Sequence, residues 1–161
     1  MSENEERALA AAVGRLLALH GWRLATAESC TGGLVGHWVT EIAGSSAYYR
    51  GGVVAYDNEI KEGLLGVPDT VLQRHGAVSA EAALHLAHGA RRLLRSEVGL
   101  AVTGVAGPGG GTAAKPVGTV HVAVVTPGGE WSEQHHWRLD RSGNKRLSAL
   151  AALRLLAAHL N

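Results

Sequence analysis

Short runs of β-branched and small apolar residues alternate with longer stretches of helical periodicity along this 161-residue chain, and that alternation limits the fold more than anything else in it. Leu9, Val13, Leu16, Leu17 and His20 recur every three or four residues. The spacing predicts an amphipathic helix over 3–20, with Asn4 as its N-cap and Gly21 as its stop. Residues 22–28 predict a short strand, SCTGG a tight turn, and Leu34, Val35, Trp38, Val39 and Ile42 a second helix. GGVVAY at 51–56 suits a buried strand. Two short helical pieces follow, 58–65 and 68–75, set apart by Pro68. Ser79 then caps a helix reaching about Arg95, with Ala83, Leu84, Ala87, Ala90, Leu93 and Leu94 on its apolar face.

Residues 98–103 form another apolar run, and six of the 22 glycines fall between 104 and 118, where nothing regular is expected. VGTVHVAVV and EWSEQHHWRL flank Pro127, Gly128 and Gly129, which signals a hairpin, and an Ala- and Leu-rich helix closes the chain from about Ser142. Helices that alternate with strands, ending in a hairpin, predict an α/β fold: a three-layer mixed sheet with helices on both faces and a C-terminal hairpin. No internal repeat or linker interrupts it, so residues 1–161 are expected to form a single domain.

Composition narrows the function. A formal charge of +1 with dispersed basic residues gives no stripe for neutralising phosphates of nucleic acid, and the absence of Phe removes stacking platforms. The N-terminus carries acids where a leader peptide needs bases, and no apolar span reaches membrane length. One cysteine, Cys30, allows no internal disulfide. The expectation is a cytoplasmic protein without nucleic-acid or membrane partners. Apolar surface on the first and last helices suggests a homo-oligomer.

In sheets of this kind ligands bind beyond the carboxyl ends of strands, and three segments end there in polar or glycine-rich loops: SCTGG, YDNEIK and TGVAGPGGG. Ser29 follows a strand and is expected at a helix start, where free amides and the helix dipole favour negative charge. That suits a nucleophile with an oxyanion site made by the amides of Thr31 and Gly32, while Gly32 and Gly33 let a substrate approach the backbone. By itself the position also fits a capping serine. Lys61 follows Tyr56 by five residues, so both can face one cleft. Burial would lower the lysine pKa enough for it to act as base, with the phenol as relay, although a lone lysine is more often solvated.

The loop from Thr103 and Gly104 through Gly107, Gly109 and Gly110 offers amides with little side-chain bulk, suited to cradling a phosphate or a planar ring. Its spacing fits neither a P-loop nor a dinucleotide fingerprint. His85 and His88 share a helical face but have no third ligand at metal-site spacing, so neither a metal nor a cofactor is expected. Cys30 as nucleophile is the weaker alternative to Ser29.

Four segments in order, AESCTGG at 27–33, YRGGVVAYDNEIK at 49–61, HGAVSAE at 75–81 and VTGVAGPGGGTAAKPVGTV at 102–120, resemble the CinA C-terminal domain family over nearly the whole chain. The resemblance implies deamidation of nicotinamide mononucleotide, a small-molecule nucleotide substrate, to nicotinate mononucleotide and ammonia. It places the family's serine, tyrosine and lysine on Ser29, Tyr56 and Lys61. Larger members carry a further N-terminal domain, for which this chain has no room. The family's Gly-Asp-Arg step, with a second arginine one turn on, meets LDRSGNKR here. Asp140 and Arg141 match it, Lys145 stands one turn later with Arg146 beside it, and Arg141 is implied as a phosphate contact. A nucleotide-binding module without turnover, or a Ser/Lys hydrolase of another amide, remains open at this point.

Overall fold

The computed structural model describes the backbone of residues 3–161 and the side chains of residues 5–161. The order is α1 (Glu3–His20), β1 (Leu24–Glu28), α2 (Leu34–Thr40), β2 (Tyr49–Val54), α3 (Asn58–Gly63), α4 (Asp69–His75), α5 (Ala80–Leu94), β3 (Val98–Gly104), β4 (Thr119–Thr126), β5 (Gly129–His136) and α6 (Arg141–Ala158). The five strands form one sheet in the order β2-β1-β3-β4-β5. β1 is parallel to both β2 and β3, whereas β4 and β5 run antiparallel as the expected hairpin. The mixed three-layer sheet read from the sequence is the fold observed.

Strand alternation divides the core. Val120, Val122 and Val124 join Leu17, Leu24, Leu153 and Leu156 in a cluster beneath α1, α2 and α6, while Ala101, Ala123 and Val125 face Leu65, Leu86, Ala87 and Ala90 of the α3–α5 side. Each wholly buried Leu or Val adds about 1.5–3 kcal/mol over its exposed state. α5 lies close on the sheet because Gly99 has no Cβ: one built there would sit 2.1 Å from the Ala87 carbonyl oxygen.

Three local expectations change. β2 is an edge strand whose residues alternate half-buried and exposed, because only β1 flanks it; it is not a buried strand. On α5 the buried face runs through Leu86, and Leu93 is exposed, because the last turn passes the sheet edge. α1 already passes through Asn4, whose side chain lies outside the described residues, so the expected cap is not described. α1 and α6 spend their apolar faces on each other, and Glu6 and Arg146 form an ion pair between them. Among the described residues no helix is long and apolar enough to cross a membrane.

Candidate active site

β1 leads to β2 on one side and neighbours β3 on the other, so the carboxyl ends of three parallel strands meet where the chain reverses direction across the sheet. A cleft of about 220 Å³ opens there. It is lined by Ser29, Tyr56, Lys61, Thr103, Gly104 and Arg141 among others.

Ser29 leaves β1 and is held by its amide, which donates to the Val102 carbonyl at 2.9 Å. It is not at a helix start. Residues 29–33 form a separate turn and α2 begins at Leu34 with Gly33 as its cap, so the capping reading of Ser29 also fails. The Gly32 amide donates to Ser29's own carbonyl at 3.1 Å and closes the turn, whereas the Cys30 and Thr31 amides have no acceptor among the described residues. The Gly32 amide is therefore taken up within the turn, and of the two unpaired amides only that of Cys30 belongs to a residue lining the cleft.

Glu28 builds this turn, a part that sequence reasoning missed. Only 3% exposed, its carboxylate accepts from the Thr31 hydroxyl at 2.7 Å, the Val35 amide at 2.9 Å and the Gly36 amide at 3.1 Å. It satisfies the first amides of α2, which glycine at the cap leaves unpaired. The only available signal was an acid ending an apolar strand just before a turn of small residues. Gly32 and Gly33 take left-handed backbone conformations, φ 63° and 105°, which gives them a conformational role.

Lys61 is placed by α3. Asp57 caps that helix, accepting from the Glu59 amide at 2.8 Å, and its carbonyl receives the Lys61 amide at 3.2 Å. The lysine side chain turns inward and is 2% exposed, the largest fully buried side chain described. Its Nζ donates to the main-chain carbonyl of Tyr56 at 3.1 Å, and no carboxylate among the described residues pairs with it. Burial pulls its pKa below the ordinary lysine value and outweighs the opposing field of Asp57. Cys30 lies in the same surroundings, and burial pushes its thiol up to about 12, which leaves it protonated and non-nucleophilic.

Tyr56 is 61% exposed, and its phenol oxygen accepts from Arg141 Nη2 at 3.1 Å. The connection between Tyr56 and Lys61 therefore runs through the tyrosine carbonyl, not through the expected phenol. Arg141, the first residue of α6, also donates through Nη1 to the Gly107 carbonyl at 2.6 Å and so ties the glycine-rich loop to the tyrosine loop. Asp140 caps α6, accepting from the Gly143 amide at 2.8 Å. Asn144, likewise not anticipated, donates to the Ala106 carbonyl at 2.9 Å and fastens the same loop from beneath.

Thr103 is 1% exposed and gives its hydroxyl proton to the Ala77 carbonyl at 2.7 Å, so at the cleft it positions residues 76–79. Gly107, Gly109 and Gly110 stand outside the lining, beyond Gly104 and Ala106, as do Thr31, Gly32 and Gly33. Of the two basic residues that follow Arg141, Lys145 lies over the serine turn, with its Nζ 3.8 Å from a Cβ built on Gly32. Arg146 points instead to Glu6. Ser29 and Lys61 share the cleft without a direct hydrogen bond. The serine hydroxyl has no partner among the described residues, and the only fully enclosed side-chain polar atom in that condition is the Tyr48 hydroxyl oxygen, so Ser29 Oγ opens to the cleft.

An open mixed α/β sheet with a hydroxyl and a buried amine at its topological switch point defines the class. The family follows from comparison. Residues 6–160 match the CinA C-terminal domain, and the chain belongs to that family. It is 51% identical over 96% of its length to a CinA-like protein of Anaeromyxobacter sp. strain Fw109-5 and 47% identical over 94% to one from Nostoc sp. strain PCC 7120. It spans 37% and 38% of those two proteins. The crystal structure of competence/damage inducible protein CihA from Agrobacterium tumefaciens superposes with a TM-score of 0.94 at 41% identity, covering 98% of both chains.

Proposed function

We propose that this protein is an amidohydrolase that deamidates nicotinamide mononucleotide, with Ser29 as nucleophile and Lys61 as base. One observation supports it above the others: a lysine amine 2% exposed, paired only with a neutral carbonyl, in the cleft that holds an unpartnered serine hydroxyl. A buried amine without a counter-ion favours its neutral form, and neutral amines are bases.

Ser29 Oγ attacks the carboxamide carbon as its proton passes to Lys61. The tetrahedral oxyanion is stabilised by the amide of Cys30, which lines the cleft, at about 3 kcal/mol per donor. Lys61 returns the proton to the nitrogen, the C–N bond breaks, and ammonia leaves an acyl-enzyme. Water then attacks the ester as its proton passes to Lys61, and Lys61 returns that proton to Ser29 Oγ as the acyl C–O bond breaks and the acid leaves, ionising to the carboxylate. Tyr56 serves this cycle through the carbonyl that orients Lys61.

In this reading the pyridine carboxamide enters the cleft of about 220 Å³ and the ribose phosphate stays at its mouth. Arg141, Lys145 and the glycine-rich loop stand there and would supply orientation from the non-reacting end of the substrate. Ammonia release from a panel of amides with and without a ribose phosphate tests the substrate. Nicotinamide mononucleotide should be turned over and free nicotinamide should not. Saturable binding of the mononucleotide without ammonia release would favour the binding-module reading.

A further inference from the structure

A second cavity of about 500 Å³ lies beside the first, at the N-terminal end of α5. It is bounded by the end of α4, the start of α5 and the tail of the glycine-rich loop, and it reaches His121 of β4 and Gln134 of β5, which are paired across the hairpin. HGAVSAE at 75–81, one of the segments that carries the family resemblance, forms much of its wall, and of it only Ala77 and Val78 also reach the first cleft.

His121 is 8% exposed and makes no hydrogen bond with any described residue. Its ring nitrogens are not fully enclosed, since Tyr48 Oη alone has that status among unpartnered side-chain atoms, so they meet open space, and the space His121 lines is this cavity. The His121 ring therefore offers its nitrogens to whatever occupies the cavity, solvent or ligand.

The surroundings say what kind of group would do so. Arg74 and Lys115 line the cavity, against Glu81 as its single acid, which stands 3.7 Å from His75. Ser79 caps α5 by accepting from the Ala82 amide at 3.1 Å, while the amides of Ala80 and Glu81 at the positive end of this fifteen-residue helix have no acceptor among the described residues. Gly76 makes room for the lysine, because a Cβ there would lie 2.8 Å from Lys115 Nζ, an amine that also donates to the His75 carbonyl.

We propose that this cavity is a second oxyanion site that takes a phosphate group, held by Arg74, Lys115, the free amides of α5 and the His121 imidazole. The site goes beyond the deamidase reading and stands without it. Val78 lines both cavities and Thr103 fixes Ala77 beside it, so the two sites are separated by a single chain segment. Free inorganic phosphate and the phosphate of an ester share the chemistry.

NMR of the full chain with ring-labelled histidine, titrated with inorganic phosphate, ribose 5-phosphate and acetate at constant ionic strength, tests it. The His121 resonances should move saturably with one of the two phosphates, and the tighter of the two identifies the source. Arg74→Ala removes an exposed side chain and should weaken that binding about tenfold or more. Arg141→Ala should leave the affinity unchanged. A linear or absent response at His121, a response equally strong with acetate, or one lost in Arg141→Ala and kept in Arg74→Ala overturns the proposal.

Discussion

Lys61 Nζ donates a hydrogen bond to the main-chain carbonyl of Tyr56 at 3.1 Å, and that neutral oxygen is its only hydrogen-bond partner among the described residues. Between the lowered native pKa and the unfolded value of 10.5, the unfolded chain binds more protons than the native one. Stability therefore rises with pH across that window, and below the native pKa the burial cost is present in full. Lys61→Met should stabilise the fold at pH 7 by about 1–3 kcal/mol, remove this rise, and abolish turnover. Urea unfolding at several pH values measures it, and a destabilised variant with unchanged pH dependence would contradict the burial argument.

If neutral Lys61 is the base, kcat/KM rises with pH through a single ionisation below the ordinary lysine range, set by burial. A pH profile from 6 to 10 reads this. An activity that falls as Lys61 loses its proton would assign the amine a different role.

Glu28 receives three hydrogen bonds inside the serine turn. Glu28→Ala leaves the Thr31 hydroxyl and two amides without an acceptor and should cost about 3 kcal/mol of stability, with kcat falling more than KM rises. Denaturation and steady-state kinetics check both parts. Unchanged kcat would mean that the turn keeps its shape without the carboxylate.

Much of this arrangement was legible in the chain and part of it was not, for physical reasons. The periodicities of α1, α5 and α6 and the hairpin turn are local, so the sheet and its helices could be read directly, and the three loops at the strand ends located the cleft. Which groups pair within it depends on side-chain direction. Tyr56 presents its carbonyl to Lys61 and its phenol to Arg141, and five-residue spacing does not distinguish the two. The partners of Glu28 and Asn144 are amides and carbonyls of segments met only in the folded state, so neither residue stood out in the sequence. Edge position, which left β2 half-exposed, belongs to strand order and cannot be seen in GGVVAY alone.

Burial raises the Cys30 thiol to about 12, so it should stay unmodified by Ellman's reagent in the native protein at neutral pH and react once the chain is unfolded. Cys30→Ala should retain most activity. Rapid native labelling that also stops turnover would reopen Cys30 as the nucleophile.

The central claim is that Ser29 performs the attack, and the most direct test is ammonia release from nicotinamide mononucleotide by the wild-type chain and by Ser29→Ala at matched folded concentration. Ser29 is buried, and its side chain makes no hydrogen bond to any described residue, so the alanine variant should fold normally and bind the mononucleotide. The account predicts turnover by the wild type and a loss of about 10³-fold or more in the variant. Ammonia release by Ser29→Ala within a fewfold of wild type would contradict it.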